Sequence, residues 1–236
     1  MAEIPPPKSE STVRLRENGV GLEGRKLGLK GGELLLAING RPFRGDDDVL
    51  HRRFEARGSK PLVLTFQRGD DEFVVLAETG RLGRWDIVAA GPAGEDGAAR
   101  IDPEGLRNFE VLRSEKGVYD LYPAVPPNYV LLTAPVWLLQ MRIWIPGSTL
   151  AAALAAAGLV SPWLALVVWV AAGLWVRRAA AYFVRADRRS RGLSWEGVIT
   201  ARTEAEAHAR HLARYPGDRN LFAPEGDGPG EEAEVA

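Results

Sequence analysis

Polar and apolar positions alternate in the first third of the chain and later give way to a run without charge. Leu34, Leu36 and Ile38 are spaced two apart, as in a half-buried strand. Asn39-Gly40 signals a turn, followed by Arg41-Pro42-Phe43. Residues 46–57 predict a short helix. Asp46 can cap it, Asp47 and Asp48 suit the positive end of its dipole, Leu50 and Phe54 share a face, and Gly58 ends it. Leu62, Leu64 and Phe66 alternate again; residues 68–71 predict a turn and 72–76 its returning strand. Further on, 109–112 and 118–122 flank Ser114-Glu115-Lys116-Gly117 as a second hairpin, stopped by Pro123, Pro126 and Pro127.

The uncharged run covers residues 143–176, and no Asp or Glu occurs anywhere in 121–186. As one straight helix its 34 residues would reach roughly 51 Å, against a bilayer hydrocarbon core of about 30 Å. Gly158, Ser161 and Pro162 divide it, with Pro suited to a first helical turn. The pattern predicts a transmembrane hairpin, 147–160 outward and 162–184 back, with a first span of only about 21–26 Å. Arg142 precedes the hairpin, and Arg177, Arg178, Arg185, Arg188, Arg189 and Arg191 follow its uncharged part, with Asp187 as the one acid among them. By the positive-inside rule that end is cytoplasmic, and two spans put the N-terminal domain there too. Arg142, Arg177, Arg178 and Arg185 are the expected anchor flanks, Arg177 and Arg178 snorkelling to the headgroups. Trp144, Trp163 and Trp175 lie near the proposed boundaries, whereas Trp169 falls mid-span. Residues 128–146 are expected as an interfacial helix that breaks at Pro146-Gly147, or as the start of a kinked first span.

Composition narrows the function classes. Mean hydropathy is −0.13, so most of the 236 residues are water-compatible, and a net charge of −1 gives no case for nucleic acid as a partner. Cys is absent, which excludes disulfides and thiol chemistry. Residues 1–14 lack the apolar core of a signal peptide. Glu204, His208 and His211 have helical spacing, but without a fourth donor they read as a solvated helix face rather than a metal site. His-Glu-x-x-His, intramembrane carboxylates, the EF-hand spacing and a Gly-Lys-Ser/Thr phosphate loop are all missing. No cofactor is expected, and the chain is expected not to be an enzyme.

Gly28-Leu29-Lys30-Gly31-Gly32-Glu33-Leu34-Leu35-Leu36-Ala37-Ile38-Asn39-Gly40-Arg41-Pro42-Phe43 resembles the core signature of bacterial PDZ domains, a "GL-x-x-GD" turn leading into a strand that ends in "NG". The helix, strand and "R-G" hairpin that follow are in PDZ order. The resemblance implies peptide binding by strand addition under a Gly-containing loop, for which Gly19, Val20, Gly21 and Leu22 stand, with His51 on the helix beside the groove. The form is shortened, with 11 positions from Gly21 to Gly32. A working groove, a purely structural PDZ-like unit and an unrelated small β-rich fold all remain open. Residues 136–206 also resemble an uncharacterised bacterial inner-membrane family with two short apolar helices. The matching residues are Pro135, Trp137 and Leu138, then Val198, Ala201 and Arg202, then Glu204, Ala205 and Glu206. This second likeness implies topology and no activity.

The expected architecture is α+β. It runs from a disordered tail (1–11) through a small PDZ-like β-rich domain (12–90), a linker (91–106), a β-hairpin (107–127), the interfacial helix (128–146) and the two-span hairpin (147–184). An Arg-rich segment with a strand and a helix (185–216) and a disordered acidic tail (217–236) complete it. Thr203 and Glu206 should form a capping box for the last helix. The expected role is a membrane-anchored adaptor or assembly protein of the bacterial inner membrane, both termini cytoplasmic, its partners the bilayer and a protein. The alternative is an accessory subunit of a larger membrane complex, packing through its Ala-rich first span.

Overall fold

The structure, a computed structural model, describes residues 11–90 and 101–223. The expectations for 1–10, 91–100 and 224–236 lie outside the described residues. The described chain is mixed α+β, with two sheets and six helices. It divides into two compact units, residues 1–111 with 196–216 and residues 112–195 with 217–236, each taken here by itself.

The first unit opens with β1 (Ser11–Val20), a short helix α1 (Leu22–Lys26) and β2 (Leu34–Ile38). Ser11, expected in the tail, is buried at the start of β1. Asn39 and Gly40, both at positive φ (52° and 75°), turn β2 into β3 (Arg41–Pro42). Two consecutive left-handed residues are what a tight hairpin turn demands. Asn39 is also pinned from the side: its Oδ1 accepts the Val63 N–H at 2.9 Å, and its own N–H donates to the Val63 carbonyl at 2.7 Å. Helix α2 (Asp47–Arg57) has the expected ends, Asp46 accepting from the Val49 N–H at 3.1 Å and Gly58 at φ 62°. Leu50 and Phe54 are its buried face.

Strands β4 (Leu62–Arg68), β5 (Asp71–Ala77) and β6 (Gly83–Ala89) complete an antiparallel sheet of order β5-β4-β2-β1-β6. Leu62, Leu64 and Phe66 are buried as their alternation requires. The phase expected for β2 is corrected. Leu35 and Ile38 are the buried residues, because the register shifts between Leu35 and Ala37. A bulge inserts one residue, so two positions of opposite parity can point the same way.

The loop before β2 is held by Glu33, whose side chain is fully buried. Its carboxylate accepts the N–H groups of Lys30 and Gly31 at 2.8 and 2.9 Å, and Arg68 closes on it at 2.6 Å. Gly31, at φ 100°, passes so near Glu17 that an added Cβ would lie 2.5 Å from its Cα. Only glycine fits both constraints.

Strands β7 (Arg107–Arg113) and β8 (Val118–Pro123) are sheet neighbours, with Gly117 at φ 73° between them. With β9 (Ser194–Ala201) and β10 (Arg219–Asn220) they give a second sheet of order β10-β8-β7-β9. Asn108 of β7 brackets Leu76 of β5: it donates to the Leu76 carbonyl at 2.7 Å and accepts from its N–H at 3.1 Å. The side-chain amide thus mimics a neighbouring strand at a sheet edge, one way of blunting edge pairing. Helix α6 (Glu204–Arg214) begins with Thr203 accepting from the Glu206 N–H at 3.2 Å. Glu206 reaches back one residue further than a capping box requires, to the Arg202 N–H at 2.8 Å.

The second unit carries α3 (Val130–Gln140), α4 (Trp144–Val160) and α5 (Pro162–Ser190). Several expected boundaries are corrected here. The break after α3 falls at Met141 to Ile143, with Arg142 at φ 59°, and not at Pro146-Gly147; Pro146 sits in the first turn of α4, where its missing N–H costs nothing. The Arg-rich segment is the last turns of α5, while residues 196–216 belong to the first unit. The start of the expected acidic tail is ordered, β10 running parallel to β8 with Asp218 buried.

Two predictions follow from the first unit. Glu33→Gln strips a buried charge pair and two loop acceptors, so unfolding should show a loss of about 2–3 kcal/mol, discounted for the partial exposure of Arg68. A loss below about 0.5 kcal/mol would mean the loop holds without the carboxylate. The Arg202 N–H, and then Arg210, hold the Glu206 carboxyl below its ordinary range. Its contribution is therefore full above the ordinary carboxylate pKa and lost as pH falls through the lowered folded value. Protection factors of the α6 amides, corrected for the intrinsic exchange rate at each pH, should fall on acidification across that window and lose this dependence in Glu206→Gln; identical titrations would refute the link.

Candidate functional site

Helices α4 and α5 meet at Ser161, with Pro162 at the first position of α5. On α5, Ala172, Val176, Ala180 and Val184 recur every fourth residue and are buried, one stripe of the helix. Val176, Ala180 and Val184 share a core with Val130, Ala134, Trp137 and Leu138 of α3. The rest of the apolar surface turns outward. Leu159 is 91% exposed, Ile145 80%, Val160 and Trp163 77%, and Val167 65%. A core helix in a soluble domain buries such residues, whereas the most apolar window of α5 is 22% buried. Among the described residues α5 alone is long and apolar enough to cross a membrane; α4, at 17 residues, is shorter.

Aromatic residues mark the limits of this surface. Trp163 sits at the turn. Trp144 lies about 24 Å back along α4, and Trp175 about 20 Å along α5, at the helical rise per residue. Trp169, between them, has a different duty. Pro135 lies inside α3 and cannot donate to the backbone, and Thr133 leaves helical geometry at φ −125°, ψ 35°. Beside this kink the Leu132 carbonyl accepts the Trp169 indole N–H at 2.8 Å. At the same crossing Gly173 approaches α3 so closely that a Cβ would stand 2.1 Å from the Leu131 carbonyl oxygen.

The arginines beyond the apolar surface divide into two groups. Arg188 is buried. Its Nε donates to Asp120 at 2.6 Å, its Nη1 pairs with Asp187, and its Nη2 donates to the Met141 carbonyl at 2.9 Å. Arg188, Arg142 and Arg191 also stack on Phe222, with Arg188 4.6 Å from the ring centre. Phe222 follows β10, which Arg113 secures by a two-pronged pair to Asp218 at 2.6 and 2.9 Å. Burial, then Asp218 and Asp120, push the Tyr119 hydroxyl pKa up, so this corner holds a neutral phenol beside its carboxylates. Arg177, Arg178 and Arg189 make no ion pair among the described residues, and Arg185 is engaged. Of the expected anchor flanks, then, Arg142 stacks on Phe222 while Arg177 and Arg178 stay uncommitted.

The residues expected to bind a peptide lie on three elements, the end of β1, the start of α1 and α2. Gly19 and Val20 end β1, and Gly21 precedes α1 with its N–H donated to the Leu82 carbonyl at 2.8 Å. That donor is spent and does not face an incoming carboxylate. β1 pairs with β2 on one side and β6 on the other. Leu22 is 71% exposed on α1, and His51 is exposed on α2, its ring Nδ1 2.8 Å from the Asp47 carbonyl. Glu204 and His208 are 3.8 Å apart while His211 is buried against Tyr215. Comparison with known protein families and with curated proteins gave no match to this chain.

Gly173→Ala should force the α3–α5 crossing apart and lower stability by about 1–3 kcal/mol. Gly158→Ala, whose new Cβ would meet only Ala165 at 4.0 Å, should be near neutral in the same thermal melts. Equal melting temperatures for the two variants would show that the crossing is not close.

Proposed function

We propose that this protein is a membrane-anchored, non-enzymatic adaptor of the bacterial inner membrane. In this reading α4 and α5 enter the bilayer as a two-span hairpin, and the PDZ-like first unit faces the cytoplasm with both termini. The observation that carries it is the outward apolar surface of α4 and α5, which ends where Arg177 and Arg178 begin. Lipid offers that surface a solvent at no cost, and unpaired guanidinium groups at its limit suit phosphate headgroups. The Trp169 bond to the Leu132 carbonyl supports the same reading, since an indole N–H carried into lipid must find an acceptor. The apolar length of about 20–24 Å is below the usual 30 Å, so the bilayer thins locally around the hairpin.

A second reading has an observation of its own. Ala151, Ala152, Ala153, Ala155 and Ala156 are exposed along α4. Small residues let a second helix approach closely, as an accessory subunit of a larger complex requires.

The test is fractionation with topology. The chain should stay in the membrane pellet through high salt and alkaline extraction, and reporters fused after Ala90 and after Tyr215 should both read cytoplasmic. Release without detergent, or reporters on opposite faces, defeats the anchor. Mild-detergent purification that yields only a lone monomer defeats both the adaptor and the accessory subunit.

A further inference from the structure

A cleft of about 390 Å³ opens in the first unit, between the C-terminal turns of α2 and the Asn39–Gly40 turn. Its floor is apolar: Ile38 and Leu62, both buried, with Ala56 beside them. Its walls are cationic. Arg53 and Arg57 lie one turn apart on α2, and Arg41 comes from β3. None of the three makes an ion pair or side-chain hydrogen bond among the described residues.

That arrangement is unfavourable as it stands. Like charges at i, i+4 on a helix repel, and the third guanidinium adds to the field. Elsewhere in the same unit arginines find carboxylates: Arg16 meets Asp86, Arg68 meets Glu33, Arg210 meets Glu206 and Arg214 meets Asp71. A cleft that gathers three unpaired ones around an apolar floor is complementary to a ligand with both negative and apolar parts.

We propose that this cleft binds an acidic peptide segment of a protein partner, with carboxylates flanking one aliphatic side chain. The aliphatic group fills the floor over Ile38 and Leu62, and the carboxylates pair with Arg53, Arg57 and Arg41 in the forked geometry that guanidinium offers. The volume, near the lower end of ligand pockets, takes a few side chains and not a folded domain. Single-stranded nucleic acid fits less well, because no aromatic ring lines the cleft for bases to stack on. Inorganic phosphate would leave the apolar floor empty. The site replaces the Gly19 to Leu22 loop as the contact surface. The proposal deepens the adaptor reading and rests on it for the existence of a protein partner.

The test uses the full chain in mild detergent and a fluorescent capped peptide of sequence Glu-Leu-Glu-Glu, read by anisotropy. Binding should weaken at least tenfold in the double variant Arg53→Gln with Arg57→Gln, and severalfold in Arg41→Gln. Arg52→Gln, a neighbour on α2 outside the cleft, should bind like the parent, and circular dichroism should show all variants folded. Affinity should fall with salt and with replacement of the peptide's Leu by Gly. Equal binding by parent and double variant, equal binding of a Lys-Leu-Lys-Lys control, or full displacement by millimolar phosphate or by oligo-dT would each overturn the proposal. A failed peptide titration sinks the cleft alone. A chain that still co-purifies with a protein keeps the adaptor, and one that purifies alone loses it.

Discussion

The second unit depends on one buried cation. A guanidinium out of water is costly unless every donor is matched, and Arg188 is matched on three sides, by Asp120, Asp187 and the Met141 carbonyl. Phe222 covers its face. These partners come from β8, from α5 itself, from the break after α3 and from the segment after β10. The apolar helices offer little to define direction, since close-packed aliphatic surfaces tolerate sliding. A hydrogen-bonded charge does not. The base of the helical pair is fixed in rotation and depth by the one group on α5 that cannot be left unpaired.

The same residue type serves opposite ends within a single cluster. Arg188 and Arg191 spend their charge internally, while Arg177, Arg178 and Arg189 keep theirs. The distinction follows helical phase. Arg188 is four residues beyond Val184 and continues the buried stripe; Arg177 and Arg178 fall off it. Substitution at Arg188 therefore acts through folding, and substitution at Arg177 or Arg178 acts on whatever lies outside.

Much of the first unit was legible in the residues because its signals are local. Asn39-Gly40, the Asp46 cap and Gly58 act within a turn of where they stand, and the structure has each in its expected place. The α+β class followed from them. The bulge in β2 was hidden, because Leu34, Leu35 and Leu36 are all apolar and carry no parity of their own. The kink in α3 had a signal in Pro135, but the indole bond beside it comes from Trp169, 37 residues beyond Leu132. β10 was masked by an acidic composition that reads as a tail. The Arg41, Arg53 and Arg57 cleft left no trace in any one motif, since its members meet only when β3 and α2 are placed together.

Pairing β10 with β8 has a bearing on the order of events during synthesis. Arg113 and Asp218 are separated by 105 positions, and everything between them leaves the ribosome before the bond can close. Contacts of such long sequence separation form slowly, because the intervening loop must be ordered first. The β10–β8 pairing is thus closed last, after the apolar helices have been made. A nascent chain halted before residue 218 would carry Asp120 and Arg188 without Phe222 above them, a corner left open on one face.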